Sequence, residues 1–288
     1  KRIEFRNKVT PFYHKQWNAV GKYGTGCIYD RIKEKIIDLG GEFYFDFQVN
    51  DIIADWQKIK AIKFSNGHEE GIDPKDTVIS SLPITLTARF LGYQSNLNFR
   101  GIRSVYLSYD VPEILPEGIH WLYYGSDKIH FNRITEPKKL TQFIAPKDKT
   151  YLTAEITFSK GDKIDLMEPE TLINEIAQQV EEVNLIEKNK LVDGSTNKES
   201  FVYPLLYEGY QEELAKTRSA INKYQQLYSI GTGGDYNYAD SQILFHKAFD
   251  TVAILSGKNS SYTQTIREVA SVDLNQKVTI NGKKIGKG

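Results

Sequence analysis

Residues 227–248 (LYSIGTGGDYNYADSQILFHKA) constrain the fold more than any other stretch: a short apolar run, three glycines, then an amphipathic helix opened by Asp240. Glycine admits tight turns and close backbone approach, and a helix N-terminus presents unpaired N–H groups with a partial positive charge. The pattern predicts a strand-loop-helix unit that brings backbone amides close to an anion such as a phosphate. Its counterpart in a complete dinucleotide-binding protein, a G-x-G-x-x-G after an early strand, does not occur in the sequence.

The 288 residues, 40% hydrophobic and 26% charged, suffice for one large domain or two coupled lobes. Lys+Arg and Asp+Glu both total 37, so the charge balance gives no electrostatic basis for binding nucleic acid or an anionic membrane. Cys27 is the single cysteine. It excludes an internal disulfide, fits a reducing, cytoplasmic setting, and reads as a buried thiol near a helix start. No apolar run is long enough to span a bilayer, and the first residues have no signal-peptide core. The lack of Met at position 1, with Met167 the only methionine, suggests a fragment or a processed chain. The five histidines are scattered and form no zinc pattern, so no metal site is expected.

Residues 25–39 (TGCIYDRIKEKIIDL) place Ile28, Ile32, Ile36 and Leu39 at helical spacing ahead of Gly40 and Gly41, a C-cap signal. Residues 42–53 (EFYFDFQVNDII) and 58–65 (KIKAIKFS) alternate apolar with polar positions and predict strands, the second ending in the turn Asn66-Gly67. Residues 77–80 read as a strand and 84–91 as a short helix. Further strands are expected over 102–111, 120–124 and 151–158, with 130–134 an edge or short strand. Residues 162–182 read as helical, with Leu172, Ile173, Ile176 and Val180 on one face. Residues 193–200 (DGSTNKES) read as a polar link, 209–227 as helical, and 258–288 as a polar, then β-like tail.

Taken in order, these segments resemble the C-terminal part of flavoproteins of the UDP-galactopyranose mutase-like and amine-oxidase-like group. Residues 22–39 with Gly40 and Gly41 resemble the loop and helix before the adenine-contacting strand, in which Val49 is the matching position. Residues 78–83 (VISSLP) resemble the strand and turn that return to the dinucleotide domain. Residues 130–138 (HFNRITEPK) resemble the mutase pattern ahead of the substrate region, which makes Arg133 a candidate, and Tyr203-Pro204 resembles the mutase Tyr-Pro. The most specific match is G-x-x-G-x-Y-x-Y-x-D, carried by Gly231, Gly234, Tyr236, Tyr238 and Asp240.

The resemblance implies an α/β fold with an α+β substrate region. That is a partial FAD/NAD(P)-binding fold lacking the first dinucleotide-binding βαβ unit, with a mixed, largely antiparallel substrate-domain sheet. It implies FAD-domain-like segments over residues 1–101 and 207–257, a substrate-domain-like region over 102–206, and a linker or tail over 258–288. It implies FAD as cofactor, held by Val49, Gly231, Thr232, Gly233, Gly234 and Asp240. Arg133, Tyr203 and Tyr238 are the implied catalytic residues, and the substrate is a small molecule such as a nucleotide sugar. One departure is Thr232, where mutases carry an Arg suited to bidentate contact with a diphosphate. Residues 277–288 (KVTINGKKIGKG) resemble the opening of sialic-acid-synthase-like enzymes, which implies a fusion to such a domain downstream.

Each candidate also has a plainer reading. Residues 231–238 serve as a β-to-helix loop without a ligand, and Asp240 serves as an N-cap, alone or together with a cofactor role. Arg133 pairs with Glu136 at the surface, while Tyr203, Tyr236 and Tyr238, among 18 tyrosines, pack. Two functions follow: an FAD-dependent oxidoreductase or sugar-nucleotide-modifying flavoenzyme of carbohydrate or cell-surface polysaccharide biosynthesis, or a non-catalytic flavoprotein-like scaffold or interaction domain.

Overall fold

The computed structural model describes residues 25–257, together with the backbone of residues 279–280 and 283–284. Helix α1 (Gly26–Asp38) precedes strands β1 (Val49–Asp55), β2 (Lys58–Phe64), β3 (Glu69–Gly71) and β4 (Val78–Ser80), and then helix α2 (Ile84–Phe90). Four strands follow, β5 (Phe99–Tyr109), β6 (Trp121–Tyr123), β7 (Arg133–Thr135) and β8 (Thr150–Phe158). Helices α3 (Lys163–Leu166) and α4 (Pro169–Glu182) separate these from β9 (Leu191–Pro204). Next come α5 (Tyr210–Ile221), β10 (Leu227–Ser229), α6 (Gly231–Gly234) and α7 (Ser241–Leu255), with a short antiparallel pair, β11 (Thr279–Ile280) and β12 (Lys283–Lys284). Apart from that pair, the expectations for the tail, including the likeness at 277–288, lie outside the described residues. The described residues fall into two compact units. One comprises 25–49, Phe64–His68 and Asn98–Leu205; the other comprises Asn50–Lys63, Glu69–Leu97 and 206–257.

In the first unit an antiparallel five-stranded sheet has the order β6-β7-β8-β5-β9. β5 and β8 bury every second side chain, as strand geometry requires of a half-buried sheet. Val105, Leu107 and Tyr109 join Leu152, Ala154 and Ile156 in a core completed by Leu172, Ile176, Ala177 and Val180 of α4. Burying each large aliphatic side chain of this set contributes roughly 1.5–3 kcal/mol. Residues 162–182 form two helices rather than one. The Asp162 carboxylate accepts from Asp165 N at 2.8 Å to cap α3, and Pro169, with no N–H and a fixed φ, starts α4 afresh.

Three sequence expectations change here. The polar link at 193–200 is the middle of β9, which pairs with β5 through Asp193, Ser195 and Asn197. It stands at the end of the strand order with little burial, so an apolar alternation is not required. Residues 130–134 contribute the short strand β7, as one of the two alternatives expected, but it lies between β6 and β8 and is no edge. Residues 42–48 are not a strand, and Phe43, Tyr44 and Phe45 are exposed. Helix α1 ends as expected: Gly41 N donates to Ile36 O and Gly40 N to Ile37 O at 2.9 Å each, with Gly40 at φ +88°. Its aliphatic stripe is nevertheless unburied, and Cys27 is half-buried rather than buried.

In the second unit, β1, β2 and β3 form a small meander, and β4 pairs in parallel with β10 in the register Val78↔Leu227, Ile79↔Tyr228 and Ser80↔Ser229. Residues 95–96 are tied to α5 by Ser95 Oγ and Thr217 Oγ1 at 2.8 Å and by Asn96 N donating to Glu213 Oε1 at 3.0 Å.

Candidate functional site

The glycine segment leaves β10 with Ile230 N bonded to Ser80 O at 2.9 Å, so the turn after β10 starts beside the turn after β4. Gly231 adopts φ +86°, a left-handed conformation that disfavours any side chain, and only Ser81 Cβ, at 3.9 Å, lies near the position a Cβ would take. The next residues form one helical turn, α6, rather than an irregular loop. A Cβ at Gly233 would stand 3.2 Å from Pro83 Cα, and one at Gly234 would stand 2.9 Å from Ser229 Oγ and 3.3 Å from Ser80 O. Two of the three glycines are thus closely packed, Gly233 against the backbone of Pro83 and Gly234 against Ser229 and Ser80 O, whereas the Gly231 side remains open. Ser229 Oγ donates to Gly234 O at 2.9 Å, Arg218 Nη2 donates to Asp235 O at 2.8 Å, and Lys247 pairs with the Asp235 carboxylate.

The two motif tyrosines part company. Tyr236 is 2% exposed, sits at φ +52° and lies 6.2 Å from the Tyr210 ring, which makes it a packing residue held in a sparsely populated backbone region. Tyr238 is exposed. Asp240 occupies the N-cap position of α7, its carbonyl accepting from Ile243 N at 2.9 Å, yet its carboxylate makes no capping bond and is exposed. Thr232 and Gly233 are half-buried in the turn.

In the sheet unit, Arg133 stands directly across from Glu155 on β8 and from Tyr123 on β6. Its Nη2 donates to Glu155 Oε1 at 2.5 Å, and its guanidinium carbon lies 6.0 Å from the Tyr123 ring centre. Burial pulls the guanidinium down, but Glu155 and Tyr123 outweigh it and hold the group above its usual range. The expected pairing of Arg133 with Glu136 is therefore replaced: Arg133 lies one residue and Glu136 two residues from the buried Ile134, so Glu136 shares the inward face of Ile134, fully buried, and Arg133 takes the opposite one. Tyr203, half-buried on β9, faces Arg100 across the β5 ladder, and Val49 opens β1, half-buried.

The structure thus brings Gly231, Thr232, Gly233 and Gly234 together with residues 80–83, and assembles Tyr123, Arg133 and Glu155 on one face of the sheet. Tyr123 and Glu155 were not singled out in the sequence. The period-two pattern of residues 150–158, which sets Glu155 opposite the core face, is the signal that finds Glu155.

With this geometry, the chain has a flavoenzyme-like fold. Its shape is similar to that of the crystal structure of reduced UDP-galactopyranose mutase, with a TM-score of 0.68 at 22% identity over 81% of this chain and 51% of that chain. It is also similar to a putative protoporphyrinogen oxidase from an Exiguobacterium species (TM-score 0.53, 15% identity, 71% of this chain and 46% of that chain). An oxidoreductase from Methanosarcina mazei gives a TM-score of 0.52 at 17% identity, over 74% of this chain and 50% of that chain. The chain spans about half the length of these structures. No family model and no curated protein matches it. Among the described residues no helix is long and apolar enough to cross a membrane.

Proposed function

We propose that this chain is the cofactor-closing and substrate-side part of an FAD-dependent oxidoreductase or sugar-nucleotide-modifying flavoenzyme similar to UDP-galactopyranose mutase, working in carbohydrate or cell-surface polysaccharide biosynthesis in the cytoplasm. One observation carries the reading: the G-x-x-G-x-Y-x-Y-x-D segment links strand β10 to helix α7 through the helical turn α6, in a chain whose fold is similar to that of a UDP-galactopyranose mutase.

The residues present fit one flank of such a cofactor. The open side of Gly231 lets a ligand approach main chain, and the amides that begin a helical turn lack intrahelical acceptors. Asp240 is an uncommitted acceptor at the head of α7, suited to a hydroxyl of the cofactor rather than to its phosphates. Gly231, Thr232, Gly233, Gly234 and Asp240 would hold the flavin side, and Val49 the adenine side. Arg133, Tyr203 and Tyr238 are the proposed catalytic residues, and the proposed substrate is a small molecule such as a nucleotide sugar. A bound flavin supplies the electron chemistry, and the protein supplies position and charge. In this reading residues 1–101 and 207–257 belong with the cofactor and 102–206 with the substrate.

A non-catalytic flavoprotein-like scaffold is the second reading. It is favoured by Thr232, which cannot grip a diphosphate as an Arg does, and by Gly233 and Gly234, whose smallness packing already explains. Purification decides between them. The enzyme reading expects a yellow protein with flavin absorbance near one equivalent, or saturable uptake of added FAD; a colourless chain that takes up no FAD supports the scaffold.

A further inference from the structure

Lys138 lies in a 3-10 turn, Pro137–Lys139, that follows β7. Its Nζ is 3.0 Å from Pro112 O, 2.7 Å from Pro146 O, 2.8 Å from Lys147 O and 2.6 Å from Lys149 O. An ammonium carries three N–H donors, so four carbonyls at this range make a coordination shell around a charge rather than a set of one-to-one bonds. The distances are longer than the roughly 2.0–2.1 Å of magnesium or the roughly 2.3–2.6 Å of calcium to oxygen. They suit a larger monovalent cation whose hydration shell is replaced by main-chain carbonyls.

We propose that the carbonyls of Pro112, Pro146, Lys147 and Lys149 form a main-chain site for a monovalent cation, whose resident ion is the tethered ammonium of Lys138, and that removing this side chain opens the site to potassium or ammonium. The same short segment holds the neighbouring backbone by the opposite charge. Glu136 is fully buried and accepts from Ile114 N at 3.0 Å, Leu115 N at 2.7 Å and Thr150 Oγ1 at 2.7 Å. Lys139 pairs with Glu113 at 2.5 Å. Residues 136–139 therefore fasten residues 112–115 and 146–150 together, N–H groups and the Thr150 hydroxyl to the carboxylate and carbonyls to the ammonium. Four convergent carbonyl dipoles repel one another without a cation between them. A covalent tether keeps that cation in place at a high effective concentration, so the natural chain needs no free ion.

The test uses the full chain and its Lys138→Ala variant, melted at constant ionic strength in choline chloride with KCl, NH4Cl or NaCl exchanged in. We expect the variant to melt below the natural chain in choline and to recover by several degrees, saturably, in KCl or NH4Cl, because an ion that binds only the folded state raises its stability. The natural chain should melt at the same temperature in choline and in KCl. Equal melting of the variant in choline, KCl and NH4Cl overturns the proposal, as does a natural chain that responds to KCl as strongly as the variant. If Lys138→Ala does not fold in choline, refolding yield in KCl against choline becomes the readout, and equal yields overturn it. Lys138→Met, which keeps the stem and removes the charge, should also melt below the natural chain in choline; melting at the natural temperature would show that the charge is not what the carbonyls hold.

Discussion

Helices α1 and α4 repeat aliphatic residues at the same helical spacing, yet α4 buries Leu172, Ile176, Ala177 and Val180 while no residue of α1 is buried. Ile32 is 37% exposed and Ile176 is 0% exposed. Their spacing is equally good, so the difference lies in what stands opposite. α4 meets the alternating side chains of β5 and β8, whereas among the described residues nothing buries the stripe of α1. Hydrophobic stabilisation follows the area removed from water, so the same pattern gives a core element in one place and a surface element in the other.

The largest expected effect tests the α4 side of that contrast. Ile176→Ala should lower the unfolding free energy by about 2–5 kcal/mol, read from urea denaturation, because it removes buried methyl groups from a filled core; a loss below 1 kcal/mol would mean that the α4 contacts are loose. Gly234→Ala should cost about 1–3 kcal/mol, since its Cβ meets Ser229 Oγ at 2.9 Å and Ser80 O at 3.3 Å. A neutral result would show that the turns after β4 and β10 can separate.

Tyr109 sharpens the comparison from within the core. It is 1% exposed, its hydroxyl lacks a partner among the described residues, and burial pushes its phenol up to about 12. The unfolded phenol titrates near pH ~10. The folded value is the higher one, so this contribution to stability is fully present below pH ~10 and is lost as pH rises through about 12. Tyr109→Phe should therefore show a shallower loss of stability between pH 9 and 11, and should match or exceed the natural chain at pH 7 by up to about 1 kcal/mol. Paired urea melts at the two pH extremes check both points, and an undiminished alkaline slope would place the titration elsewhere. The smallest effect belongs to α1: Ile32→Ala should change stability by less than about 0.5 kcal/mol. A loss approaching that of Ile176→Ala would show that the α1 stripe is covered in solution.

Much of the local structure was legible. The spacing of Ile28, Ile32 and Ile36 with Gly40 behind it gave α1 and its cap, and the alternation in residues 150–158 gave β8. The glycines at 231, 233 and 234 marked a turn after a strand, and the structure has one there. What was not legible depended on neighbours distant in sequence. The polar β9 is a strand because β5 offers it a ladder, and nothing in its own composition says so. Arg133 pairs with Glu155 rather than Glu136 because β8 lies beside β7 and Glu136 is drawn to the N–H groups of residues 114 and 115.

The sequence by itself determined that α1, α2, α5 and α7 and strands such as β2, β5 and β8 form, where the chain must turn, and that residues 231–240 carry an unusual run of glycines, tyrosines and an aspartate. These are short-range matters, set by backbone sterics and the periods of helix and strand. Only the tertiary structure decided which apolar stripe is buried, that Tyr236 packs while Tyr238 is exposed, and that Lys138 meets four main-chain carbonyls. Burial and electrostatic partnership depend on groups brought together from distant positions, and no local pattern encodes which groups those are.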